Sequence, residues 1–143
     1  MLENVRKRMG REEGFTLVEL LVVMLILGIL AAIAIPTFLS QRDKANDAEA
    51  KAAARTAQTA AETYGTDHNN DYTGLTTAAQ LEAIEPALAE APNAVVISDQ
   101  SATGEYTVTV QSSTGTDFSV ERSGARSDQT CAPDGGGCTA GGW

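Results

Sequence analysis

The stretch Phe15–Ile35 reads FTLVELLVVMLILGILAAIAI and runs directly into Pro36. No residue from Leu20 to Ile35 is charged or strongly polar. As a helix rising ~1.5 Å per residue it would extend about 30 Å, the thickness of a bilayer's hydrocarbon core. Lipid offers no partner to backbone N–H and C=O groups, so a single segment that enters it must be helical. Glu19 breaks the pattern. An unpaired carboxylate in hydrocarbon costs several kcal/mol, so a charge at this position implies a partner.

The chain has 143 residues and a net charge of −9. That length predicts one domain plus an anchor. Residues 1–14, MLENVRKRMGREEG, hold four basic against three acidic side chains, so the negative charge lies wholly beyond Gly14. An acidic exterior argues against nucleic-acid binding by the head, which would need Lys and Arg to displace phosphate counterions. The cluster Arg6, Lys7, Arg8 and Arg11 predicts that this end stays in the cytoplasm. A cleaved secretory signal fits poorly. Its apolar stretch would be too long, and no small-x-small site precedes the polar segment downstream.

Gly14-Phe15-Thr16-Leu17-Val18-Glu19-Leu20-Leu21 resembles the processing and assembly signature of type IV pilins and of type II secretion pseudopilins, and the likeness continues through Gly28, Pro36 and Phe38 to Gln41. The resemblance implies an α+β pilin fold, in which a long N-terminal helix packs against a small antiparallel β-sheet head. The lower half of that helix would be transmembrane and the upper half amphipathic. It implies a leader of residues 1–14, a transmembrane and filament-core helix over 15–36 and a head over 37–143. A membrane peptidase would cut after Gly14, and Phe15, the new first residue, would be N-methylated. The amine freed at Phe15 stands four residues before Glu19. In a filament the glutamate would meet the amino terminus of an adjacent subunit and set the axial register. Removing one partner of such a desolvated pair strands a buried charge, at a cost of about 3–5 kcal/mol.

Gly28 and Pro36 are weak points of the helix: glycine costs ~1 kcal/mol relative to alanine and an interior proline ~3 or more. The residue-level reading is close packing at Gly28 and a kink at Pro36; the resemblance adds local melting between them in a filament.

Residues 37–66 read as a continuing helix, with Ala53, Ala57, Ala60 and Tyr64 as one narrow stripe toward a sheet. Arg42, Lys44, Asp47, Lys51, Arg55 and Glu62 fall on the other faces and are expected to be solvated or subunit-facing. Gly65–Thr73 is a turn-rich break. Within it Asp67-x-Asn69-x-Asp71 imitates the start of a calcium loop, but Tyr72 replaces the required glycine and Ala78 the bidentate glutamate, so no metal is expected. His68, the single histidine, is expected at a surface helix end. Thr76–Ile84 predicts a short helix capped by Thr76 or Thr77, with Leu75, Leu81, Ile84 and Leu88 over the core. Three strands are predicted, at 94–98, 105–111 and 117–122, from alternations such as Tyr106, Val108, Val110 against Thr107, Thr109, Gln111.

A Cys131–Cys138 disulfide would close an eight-residue loop in a tail too poor in apolar residues to fold unaided. Two thiols without a nearby histidine are half a zinc site, and the spacing is not that of a CxxC redox centre. Trp143 is expected to fold back onto the sheet. The Gly135–Gly137 run lacks the Lys-Ser/Thr of a phosphate loop. A lone histidine leaves no catalytic triad, so neither an enzyme nor a cofactor is expected.

The resemblance therefore implies a structural subunit of an extracellular type IV pilus, serving adhesion, twitching motility or DNA uptake. Its precursor would be a single-span protein of the cytoplasmic membrane. Partners implied are copies of itself, the prepilin peptidase, a pilus assembly ATPase and a platform protein. A secretion pseudopilin is the alternative; the terminal cysteine loop favours the pilin, since major pseudopilins usually lack one and carry a calcium site. A permanently anchored binding protein that does not polymerise is the reading from a different class.

Overall fold

The computed structural model describes residues 14–91, 93–98, 103–133, 137–139, 142 and 143. The basic leader cluster Arg6–Arg11 and the glycines Gly135 and Gly136 lie outside the described residues. The chain forms two compact units, Met1–Phe38 and Leu39–Trp143. Helix α1 (Leu17–Asp67) belongs to both. It is followed by α2 (Ala78–Ile84), a 3-10 turn (Pro86–Glu90), and strands β1 (Val95–Ser98), β2 (Glu105–Gln111), β3 (Asp117–Ser123) and β4 (Arg126–Ala132). The fold is α+β, with an antiparallel sheet in the order β1-β2-β3-β4.

In the second unit, the alternation in β2 and β3 does what period-two patterning requires. Tyr106, Val108, Val110, Phe118 and Val120 are buried and form the core with Leu75, Leu81, Leu88 and the alanines of α1. The buried line on α1 is Ala50, Ala54, Ala57, Ala61 and Gly65, with Ala60 beside it. It is displaced by one position from the expected stripe, in which Ala53 and Tyr64 now sit only partly buried at the margin. Gly65 explains the displacement. It lies inside the helix rather than ending it, and a Cβ there would overlap the hydroxyl and ring of the buried Tyr72. The aromatic ring that closes this end of the core needs the glycine on the inward face.

The sheet has four strands, not three. β4 pairs with β3 along its whole length, from Asp117 opposite Ala132 to Ser123 opposite Arg126. Its inward residues Ser127, Gln129 and Cys131 carry no apolar alternation, so periodicity is silent there. The two-residue turn Gly124–Ala125, with Gly124 at φ 62°, is the signal that could have found it. The α2 helix starts after Thr77, where the Gln80 side-chain oxygen accepts the N–H groups of Thr76 and Thr77 at 2.9 and 3.0 Å.

Three charges of the second part of α1, expected at the surface, are internal partners instead. Asp47 is only 1% exposed. It accepts hydrogen bonds from the Thr114 hydroxyl at 2.6 Å, in the β2–β3 turn, and from the Gly137 N–H at 2.7 Å, in the tail. Lys51, one turn on, donates to the Gly137 carbonyl, so one peptide unit of the cysteine loop is held from both sides. Burial pushes the Asp47 carboxyl up, but the hydroxyls of Thr114 and Ser112, the Gly137 N–H and the Lys51 charge together hold it below the usual carboxylate value. At the other end, Glu62 accepts from Tyr106 at 2.8 Å and Tyr72 at 3.3 Å and pairs with Arg122. The two tyrosine rings lie 4.8 Å apart. Burial raises both phenols above their usual value, most for the more deeply buried Tyr106, where the neighbouring Tyr72 adds to the effect. A carboxylate buried with several donors is satisfied, whereas one without them costs its full desolvation.

The tail is fixed by covalent and aromatic contacts. Cys131 and Cys138 form the expected disulfide, with Cα atoms 5.7 Å apart. Trp143 meets Phe118 edge-on at 5.7 Å and donates its indole N–H to the Thr130 carbonyl at 2.8 Å, as expected of a residue folded back on the sheet. His68 stacks on Tyr64 at 3.9 Å at the exposed end of α1.

Candidate assembly site

The first unit presents the residues singled out for processing and assembly. Gly14 and Phe15 precede the helix in an exposed segment without regular secondary structure, and among the described residues no atom beyond the chain neighbours lies within 4 Å of where a Gly14 side chain would begin. A peptidase reaching this bond meets no steric obstacle from the described residues. The helix begins at Leu17, so Phe15 lies outside its first turn. Thr16 is the cap: its hydroxyl oxygen accepts the Glu19 N–H at 3.2 Å. Sequence reasoning missed this role, although Thr16-x-x-Glu19 is the spacing of a capping box and would have revealed it. Glu19 thus occupies the first helical turn, where the backbone dipole favours a negative charge by about 0.3–1 kcal/mol.

Beyond Glu19 the apolar part of the helix is uncovered by any of the described residues. Exposure runs from 45% at Val23 to 75% at Leu17, and every large apolar residue from Phe15 to Leu39 is exposed. Among the described residues this is one helix long and apolar enough to cross a membrane, and none of its apolar window is buried. A helix that is hydrophobic on every face is stable only inside lipid or inside a bundle. The Glu19 carboxylate has no hydrogen-bond or ion-pair partner among the described residues.

Gly28 and Pro36 both lie within α1. No atom of another part of the chain approaches the position of a Gly28 Cβ, so its smallness serves no contact within the described chain. Pro36 has no N–H to give the Ala32 carbonyl, a missing rung in the helix ladder. The next carbonyl, of Ile33, accepts the Thr37 hydroxyl at 3.1 Å. The helix continues through the proline with one turn weakened. Among the described residues no group of three or more His, Cys, Asp and Glu side chains could hold a metal.

Comparison with known proteins points to the same segment. The family model described as the prokaryotic N-terminal methylation motif matches residues 9–35. The chain is 46% identical over 65 residues to a type IV wide pilus major component of Thermus thermophilus, covering 46% of this chain and 49% of that protein. It is 46% identical over 44 residues to the type II secretion system core protein G of Vibrio cholerae, covering 31% and 30% of the two chains. To the competence protein ComGC of Halalkalibacterium halodurans it is 32% identical over 71 residues, covering 50% of this chain and 70% of that one. Against the pilus component the match spans about half of the relative's length. No solved structure matches the chain. With the methylation motif matched at residues 9–35 and most of a relative's length covered, the chain belongs to the family of type IV pilins and pilin-like proteins.

Proposed function

We propose that the protein is a structural, non-catalytic subunit of an extracellular type IV pilus. The precursor lies in the cytoplasmic membrane with residues 1–14 on the cytoplasmic side. A prepilin peptidase cuts between Gly14 and Phe15 and Phe15 is N-methylated. An assembly ATPase acting through a platform protein then draws subunits from the membrane into a fibre, with the apolar part of α1 at its centre and the acidic heads outside. The observation that carries this reading is an apolar helix exposed on every face, whose Glu19 carboxylate lacks a partner among the described residues. Cleavage supplies a cation two residues before the helix, and in a packed bundle the amine of one copy meets the Glu19 of the next. The pair contributes little net stability but fixes which register is tolerated, because a mismatched copy leaves a charge buried alone.

The match to core protein G supports a second reading, a pseudopilin of a type II secretion system, built by the same chemistry. The Cys131–Cys138 loop favours the pilus subunit. The test is the Glu19→Ala variant in cells that make the fibre. It is expected to be cut at Gly14 as efficiently as wild type, yet to be missing from sheared fibres. Normal incorporation of the variant overturns the register role of Glu19.

A further inference from the structure

Cys138 is held in place by more than its bond to Cys131. The residue before it, Gly137, has both backbone polar groups taken by one helical turn of α1. Asp47 accepts its N–H at 2.7 Å, and Lys51 donates to its carbonyl. A Cβ at Gly137 would stand 3.0 Å from the Asp47 Cβ and 3.2 Å from Lys51 Nζ, so only a residue without a side chain lies this close to the turn. Both clamp residues also have partners outside the tail. Asp47 accepts the Thr114 hydroxyl, which is itself within hydrogen-bond reach of Ser112 and Thr116 in the same β2–β3 turn. Lys51 extends its ammonium to 5.3 Å from the ring of Phe118 in β3, the residue that lies opposite Cys131 in β4. On the far side of Cys138, Trp143 meets Phe118 edge-on and donates to the Thr130 carbonyl. Cys138, only 4% exposed, is thus bracketed by non-covalent anchors against the strands that carry its partner.

We propose that Asp47 and Lys51 seat Cys138 beside Cys131 before the two are joined, which makes Asp47 a positioning residue for disulfide formation in this chain. The positioning acts within one chain, whether or not copies assemble. Two thiols seven residues apart on a loose tail close a ring only as often as the tail brings them together. For a short flexible segment that amounts to an effective concentration on the order of 1 mM. A tail already docked through Gly137 has met the ordering cost in advance, and the effective concentration rises accordingly. An external disulfide, oxidised glutathione in the test below, is the oxidant. One cysteine thiolate attacks it, forming a mixed disulfide and releasing one glutathione thiol. The other cysteine thiolate then attacks the protein sulfur of the mixed disulfide, forming Cys131–Cys138 and releasing the second. Two protein thiols are oxidised, and one glutathione disulfide is reduced to two thiols. The same docking acts against the competing product, since an undocked Cys138 is free to pair with a cysteine of another copy. By linkage, whatever the clamp contributes to forming the bond, the bond returns to the clamp.

The test is the equilibrium between reduced and oxidised full-length chain in detergent, set by a glutathione buffer at neutral pH and read by mass after free thiols are alkylated. The ratio gives the effective concentration of one cysteine at the other. Asp47→Ala is expected to lower it about tenfold, the effect of losing one charge-assisted hydrogen bond. Gly137→Ala, which wedges a methyl group into the clamp, is expected to lower it severalfold. Asp47→Asn keeps an acceptor for the Gly137 N–H and should fall between Asp47→Ala and wild type. Disulfide-linked dimers should increase in the two alanine variants. Leu81→Ala is the control. Leu81, in α2, is fully buried in the core but belongs to no part of the clamp, so this variant should lower the unfolding midpoint and leave the effective concentration at the wild-type value. An unchanged value in Asp47→Ala and Gly137→Ala overturns the positioning role. So does a Leu81→Ala value as low as that of Asp47→Ala, because the effect is then one of general stability. If the Asp47→Ala chain does not fold, Gly137→Ala decides, and an unchanged value there overturns the proposal.

Discussion

Between Leu17 and Phe38 the helix turns apolar side chains outward on every face; between Asp47 and Gly65 it buries alanines on one face and has Asp47 and Glu62 answered from the sheet, the loop after the helix and the tail. Glu19 and Asp47 make the contrast sharp. Asp47 finds a hydroxyl from the β2–β3 turn and an N–H from the cysteine loop inside its own chain. Glu19 finds none among the described residues, only the cap that Thr16 gives its backbone. The head is satisfied by its own chain, whereas the apolar segment, in the filament proposed above, is half of an interface. Substitutions in the head should therefore register as lost stability, and substitutions in the apolar segment as lost assembly.

The largest stability effect expected in the head is from Asp47→Ala. It strands the Gly137 N–H and takes from the Thr114 hydroxyl its carboxylate acceptor, and should cost about 3 kcal/mol in thermal unfolding of the full-length chain in detergent. Replacing Cys131 and Cys138 by serine should cost about 2–3 kcal/mol through the freed eight-residue loop. The two losses are not expected to add, since both act on the same tail. Glu62→Gln should cost only about 1 kcal/mol, because the Glu62 side chain is 37% exposed and solvent screens what Arg122 loses. Leu25→Ala in the apolar segment should leave the unfolding midpoint unchanged and lower fibre yield. A midpoint that falls as far as in the Asp47 variant would erase the distinction between the two units.

The pH dependence follows from the same contrast. Because the folded Asp47 carboxyl is held below its unfolded value, its stabilisation is present above the usual carboxylate range and is lost as pH falls through the folded value. Wild type should thus lose more stability than Asp47→Asn between neutral pH and about pH 3. The raised Tyr72 and Tyr106 phenols act in the other direction. Their contribution is intact below about pH 10 and is lost above it, as ultraviolet titration against unfolding would show.

What could be read from sequence was whatever depends on neighbours. The alternation of β2 and β3 and the spacing of the two cysteines are local signals, and the structure bears them out; the apolar run is local too, and it is helical from Leu17 onward. Asp47 and Glu62 could not be read this way. The partners of Asp47 lie 67 and 90 residues away and those of Glu62 lie 10, 44 and 60 residues away, and no local periodicity distinguishes either residue from Glu49, which stays exposed. The phase of the alanine stripe was equally hidden, since Ala53 and Ala54 are interchangeable until Tyr72 is known to press on Gly65. β4 has no inward apolar residue but Cys131, so its place comes from the Gly124 turn and from pairing with β3. The cap at Thr16 was legible too, since Thr16-x-x-Glu19 has the spacing of a capping box at the head of the apolar run.

In the proposed assembly, removal of the leader turns an anchored precursor into a subunit whose apolar helix is covered by other copies. The most direct measurement is the intact mass of the chain in fibres sheared from cells, compared with that in the membrane fraction. Sedimentable fibres are expected whose chain begins at Phe15, with the added mass of one methyl group on its amine and the disulfide intact. A chain that keeps Met1, stays in the membrane fraction and never sediments as a fibre contradicts that assembly.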